Sequence, residues 1–90
     1  MYVLAIYTLK SKEVYADIVY IDAGHEYEAV KLDIGVFWSL LKPGGFMLLD
    51  DYAWDGVKKA ADEHSLHSNV PLQVSGALAM LQKPHHTTVL

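Results

Sequence analysis

The chain has no cysteine. That excludes a disulfide framework and any thiolate metal site, and it suits a reducing compartment. Basic residues are scarce: seven Lys and Arg stand against eleven Asp and Glu, a net charge of −4 with histidines neutral. The few lysines are scattered, so there is no cationic stripe to displace counterions from a nucleic-acid backbone. No apolar run approaches the roughly 20 residues that cross a bilayer. The opening run Met1–Leu9 lacks a basic leader and a small-residue cleavage site. Repeats, low-complexity tracts and linkers are also absent. A soluble, cytoplasmic protein with no nucleic-acid or membrane partner is expected. Glycine is absent from the first 23 residues, and the first one in the chain is Gly24.

What is present is a globular composition, 52% hydrophobic and 20% charged, in a 90-residue chain. This suffices for one small domain over residues 1–90 with a thin stability margin. Tyr2–Thr8 is a β-branched and aromatic run consistent with a strand. Asp17–Asp22 holds four consecutive apolar residues between aspartates, the pattern of a strand buried on both faces. From about Glu26 the period changes. Val30, Ile34, Phe37 and Leu41 fall at i, i+4, i+7 and i+11, one stripe of an amphipathic helix. Pro43-Gly44-Gly45 stops that helix and turns the chain into a second strand, Phe46–Leu49. Asp55 is a suitable N-cap for a helix over roughly Gly56–His64. Val70–Val74 and Ala77–Gln82 follow as a hairpin around Ser75-Gly76, with Pro71 placing the first of them at an edge. His85–Leu90 is a tail.

Two segments are more specific than this alternation. Ile21-Asp22-Ala23-Gly24-His25-Glu26-Tyr27 closes one strand. Leu41-Lys42-Pro43-Gly44-Gly45 opens the next, which ends in Asp50-Asp51-Tyr52 and leads to Gly56-Val57-Lys58-Lys59-Ala60-Ala61-Asp62-Glu63. Over Asp17–His64 the chain resembles the C-terminal half of class I S-adenosylmethionine-dependent methyltransferases. The likeness is to the subgroup with Ile-Asp-Gly-x-His-x-Tyr and Asp-Asp-Tyr signatures, with Ala23 standing for the usual glycine. The resemblance implies a three-layer Rossmann-like α/β fold, here a partial sheet with a C-terminal antiparallel hairpin. It implies S-adenosylmethionine as cofactor and O-methyl transfer to a small hydroxylated acceptor. The family's glycine-rich loop and second-strand acid have no counterpart before Asp17, so no residue is assigned to the cofactor. The alternative is a non-catalytic, truncated half-domain that self-associates or complements a separate N-terminal half.

In an open α/β sheet, ligands sit beyond the carboxyl ends of the strands. Asp22 ends one strand and Asp50-Asp51 end its expected neighbour. The resemblance implies that these three carboxylates hold Mg²⁺, as in metal-dependent O-methyltransferases that bind a vicinal diol or catechol. It also makes His25 the candidate general base, with an unperturbed pKa of about 6.5. Plainer readings stand beside these. An aspartate after a strand often caps the next helix, and His25 can equally bond a backbone carbonyl. Tyr27 and Tyr52 are expected to be half-buried packing residues with wet hydroxyls. Trp38 and Trp54 are expected to pack against the sheet or, less favoured, to line the mouth of the cleft, and the His85-His86 pair to be solvated. His64 and His67 bracket a loop without a definite role. A sheet lacking its first strands would expose an edge of Asp17–Asp22, so either Tyr2–Thr8 folds back antiparallel over it or two chains pair there. A homodimer or larger assembly through that edge is the expected partner state.

Overall fold

The computed structural model describes residues 2–10, 13–22 and 26–85, with side chains described from Tyr15 onward. The elements run β1 (Tyr2–Lys10), β2 (Glu13–Asp22), α1 (Tyr27–Leu40), β3 (Leu41–Leu49), α2 (Asp55–Ser68), β4 (Gln73–Ser75) and β5 (Leu78–Gln82). They form one five-stranded sheet in the order β1-β2-β3-β5-β4. The β2–β3 pair at its centre is parallel, and the other three pairings are antiparallel. The α/β class, the partial Rossmann-like sheet and the C-terminal antiparallel hairpin are as the sequence predicts. Residues 2–10 do fold back antiparallel along β2, from Tyr2 opposite Asp22 to Lys10 opposite Glu13.

The register explains the core. Val19, Met47 and Leu81 form one row across the sheet, and Ile21, Leu49 and Ala79 the next. All six are buried, together with Val30 and Ile34 of α1 and Val57, Ala60 and Ala61 of α2. The two helices therefore share one face of the sheet with each other. A bulge between Ala16 and Ile18 resets the side-chain alternation, so Ala16 reaches the same core as Val19. The opposite rows contain Ile18 and Phe46, then Tyr20, Leu48 and Met80. These are exposed or half-buried. Among the described residues, no helix is long and apolar enough to cross a membrane.

β2 begins at Glu13 rather than Asp17. Trp54 rather than Asp55 is the N-cap of α2, with Asp55 its first helical residue. Boundaries depart from expectation in three further places. The strand after α1 begins at Leu41 rather than Phe46. Pro43 disfavours helix at Lys42, and Gly44 and Gly45 exchange backbone hydrogen bonds with Lys83 at 2.9 and 2.8 Å. The Pro-Gly-Gly segment is thus drawn into the sheet. Gly44 has φ +85°. A Cβ on Gly45 would lie 2.8 Å from the Asp17 carbonyl oxygen, so both glycines are required by geometry. Second, α2 extends through Ser68. The Ser68 hydroxyl donates to the His64 carbonyl, and Asn69 closes the helix in the left-handed conformation, φ 57°. Third, the hairpin strands are shorter, with Gly76 at φ +60° beginning the two-residue turn. Short β4, following Pro71, lies at the sheet edge as expected.

Candidate functional site

Because β2 and β3 are parallel neighbours, Asp22 and Asp50 emerge side by side at their carboxyl ends. The Asp50 amide donates to the Ile21 carbonyl at 3.1 Å, continuing the ladder one residue beyond the end of β3. The chain then reverses sharply. Asp51 has φ 61°, a conformation that aspartate tolerates better than most residues. Its amide donates to Asp50 Oδ1 at 2.9 Å. Farther on, the Tyr52 amide donates to the Ala77 carbonyl at 2.8 Å and the Trp54 amide to the Asp51 carbonyl at 3.0 Å. These bonds fix the loop that carries Asp51.

The result is a cluster in which Asp22, Asp50 and Asp51 each offer a carboxylate oxygen within 4.8 Å of the others. It is the one group of three potential metal-ligating side chains among the described residues. All three are half-buried. Tyr20 sits two residues before Asp22, and its hydroxyl donates to Asp50 Oδ2 at 2.7 Å. That bond, followed by the one from the Asp51 amide, holds the Asp50 carboxyl below its ordinary pKa. Asp50 is therefore firmly ionised at neutral pH.

An oxygen-only donor set suits a hard divalent cation. Octahedral Mg²⁺ at about 2.1 Å places adjacent ligand oxygens about 3 Å apart and opposed ones about 4.2 Å apart. A spacing within 4.8 Å needs only small side-chain rotations to reach that geometry, so the donor set fits. The position of His25 lies outside the described residues, so its distance from the cluster is not part of this geometry.

The other residues singled out from sequence take structural places. Tyr27 donates to both Glu63 oxygens, at 2.8 and 2.6 Å. Tyr52 donates to Asp62 Oδ1 at 2.6 Å, and the Lys58 ammonium lies 4.6 Å from the Tyr52 ring centroid. Both tyrosines are half-buried, but their hydroxyls bind carboxylates of α2. Trp38 packs against the core and meets His64 edge-to-face at 4.6 Å. Trp54 is 55% exposed, contrary to the packing expected of it, because it sits at the N-cap of α2, outside the buried stripe. His64 lies within α2, as the helix expected over Gly56–His64 has it, and burial lowers its pKa. His85 sits against Gly44, and His86 lies outside the described residues. Tyr20 is the functional residue that sequence reasoning missed. The signal was its even spacing from Asp22 on the strand, which directs it to the face opposite the helices.

A sequence profile described as "Methyltransferase domain" matches residues 4–52. The match takes in β1, β2, α1 and β3 and ends just after the aspartate pair. A search of curated proteins returns no match to this chain. The profile covers more than half of the 90 residues, and the chain belongs to the methyltransferase-domain family.

Proposed function

We propose, from that membership, that the chain carries the acceptor side of a class I methyltransferase site. The reaction is O-methyl transfer to a small hydroxylated acceptor such as a vicinal diol or catechol. The observation that carries this reading is the meeting of Asp22, Asp50 and Asp51 at the carboxyl edge of the two parallel strands. Ligands of open α/β sheets bind at that edge.

The three carboxylates would hold a divalent cation, which when bound supplies Lewis acidity that lowers the pKa of an acceptor hydroxyl. The protein's own part is positional. Tyr20 and the Asp51 amide orient Asp50 and keep it charged, while the bond from Tyr52 to Ala77 anchors the loop behind Asp51. His25, three residues beyond Asp22, is the base that takes the acceptor's hydroxyl proton.

Family membership suggests S-adenosylmethionine as the methyl donor. The described residues do not fit it by themselves. The strand beside β2 is β1, which runs antiparallel, so its carboxyl end faces the opposite edge of the sheet. Residues 1–16 also contain no glycine to cradle the donor. No side chain of this chain is assigned to the cofactor.

Catechol binding followed by calorimetry tests the proposal. Saturable binding is expected with Mg²⁺ and should be lost with chelator or in Asp51→Asn. Binding indifferent to both, or none at all, would remove the acceptor role. A parallel titration with S-adenosylmethionine reads the cofactor question separately.

A further inference from the structure

Trp54 breaks a local rule without a gain to the fold. It is the N-cap of α2, a position that Ser, Thr, Asp and Asn favour because their side-chain oxygens accept from the first helical amides. An indole Nε1–H can only donate, and no side-chain hydrogen bond caps this helix. The residue is 55% exposed, and it belongs neither to the core nor to the half-buried side chains packed on it, as Trp38 and Tyr52 do. Its backbone is nonetheless fixed on both sides. The Trp54 amide donates to the Asp51 carbonyl at 3.0 Å, and the Trp54 carbonyl accepts from the Lys58 amide at 2.9 Å. Departures of this kind collect at functional sites.

Its place says which function. The Asp51–Trp54 bond closes a four-residue turn, which keeps the two Cα atoms within about 7 Å of each other. The indole is thus rooted one turn from the cluster of Asp22, Asp50 and Asp51. The other aromatic residue of the loop, Tyr52, is engaged with α2 through Asp62 and Lys58. We infer that Trp54 selects an aromatic acceptor: the ring of a catechol, held through both oxygens by the cation, stacks on the indole. The inference rests on the acceptor site proposed above. A tryptophan on a fixed backbone has only two χ angles to settle, so stacking costs it little freedom. Offset or edge-to-face ring pairs are favourable at about 4.5–7 Å between centroids. A saturated vicinal diol offers the cation the same two oxygens but no ring, so Trp54 separates the two acceptor classes.

Calorimetry in the presence of Mg²⁺ tests the inference. Trp54→Ala should bind catechol about tenfold more weakly than wild type, and Trp54→Phe should recover most of the loss. The saturated diol cis-1,2-cyclohexanediol should bind wild type and Trp54→Ala alike, or neither. Mn²⁺ binding and circular dichroism should be unchanged in Trp54→Ala. Equal catechol affinity in wild type and Trp54→Ala would overturn the inference and leave the acceptor site standing. A matching loss for both diols, or a loss of Mn²⁺, would make Trp54 a support of the loop and overturn it as well. No catechol binding by the wild type would remove the acceptor site and the inference with it.

Discussion

The two ends of the central strands use the same residue type for opposite purposes. At the amino end Asp17, in the β2 bulge, forms an ion pair with Lys42, which enters β3 beside it. At the carboxyl end Asp22, Asp50 and Asp51 are brought within 4.8 Å of one another, and a tyrosine and a backbone amide hold one of them ionised. The first arrangement neutralises charge and belongs to the fold. The second concentrates charge at the edge where α/β sheets bind ligands, an arrangement that stability alone does not favour. An aspartate at a strand end is therefore uninformative until its neighbours across the sheet are known.

The largest effect expected at the carboxyl end comes from Asp50→Asn. Divalent-ion affinity should fall at least about 100-fold, or about 2.7 kcal/mol, with the circular dichroism of the metal-free protein unchanged. Gly45→Ala acts at the amino end through packing. Its Cβ would meet the Asp17 carbonyl oxygen and the Leu41 side chain. A loss of about 2 kcal/mol in denaturant unfolding is expected.

Two smaller predictions concern pH. Tyr20→Phe removes the strongest influence on Asp50, so its carboxyl should titrate closer to the ordinary value by NMR. The sign follows from linkage. Asp50 has a lowered folded-state pKa, so its contribution to stability is present above the unfolded carboxyl pKa and lost as pH falls through the folded one. Tyr20→Phe should flatten that acid limb. His64 behaves alike at higher pH. Burial, then the nearby charge of His67, favours its neutral form. Its contribution is full above its unfolded pKa of about 6.5 and is lost as pH drops through the lower folded value. In His64→Phe this part of the stability–pH curve should be level. The smallest effect belongs to Lys42→Met. A solvent-screened pair with Asp17 is worth about 0.5 kcal/mol, and adding salt should erase the difference from wild type.

Much of this was legible in the chain itself. The change from the apolar run before Asp22 to the helical period after Glu26 located β2 and α1, and Asp50-Asp51 marked the end of β3. The placement of all three aspartates at one edge followed from a single assumption, that β2 and β3 are parallel neighbours. What the sequence concealed depends on long-range pairing. The strand character of Pro43-Gly44-Gly45 arises from hydrogen bonds to Lys83, about forty residues away. The bulge at Asp17 appears only once β2 is paired with β1 and β3. The last turn of α2 looked like a polar loop because Ser65, Ser68 and Asn69 favour turns. In the structure the two serines donate to the Val70 and His64 carbonyls, and Asn69 ends the helix. Tyr20 read as one more apolar strand residue, and its role emerges only with Asp50 beside it.

The central claim is that the carboxyl-edge aspartates form one site for a divalent cation. Counting bound Mn²⁺ by electron paramagnetic resonance, in wild type and in Asp22→Asn, tests it most directly. One ion per chain in the wild type, displaced by Mg²⁺ and lost in the variant, is the predicted result. No bound ion at millimolar Mn²⁺, or equal binding by the variant, would contradict it.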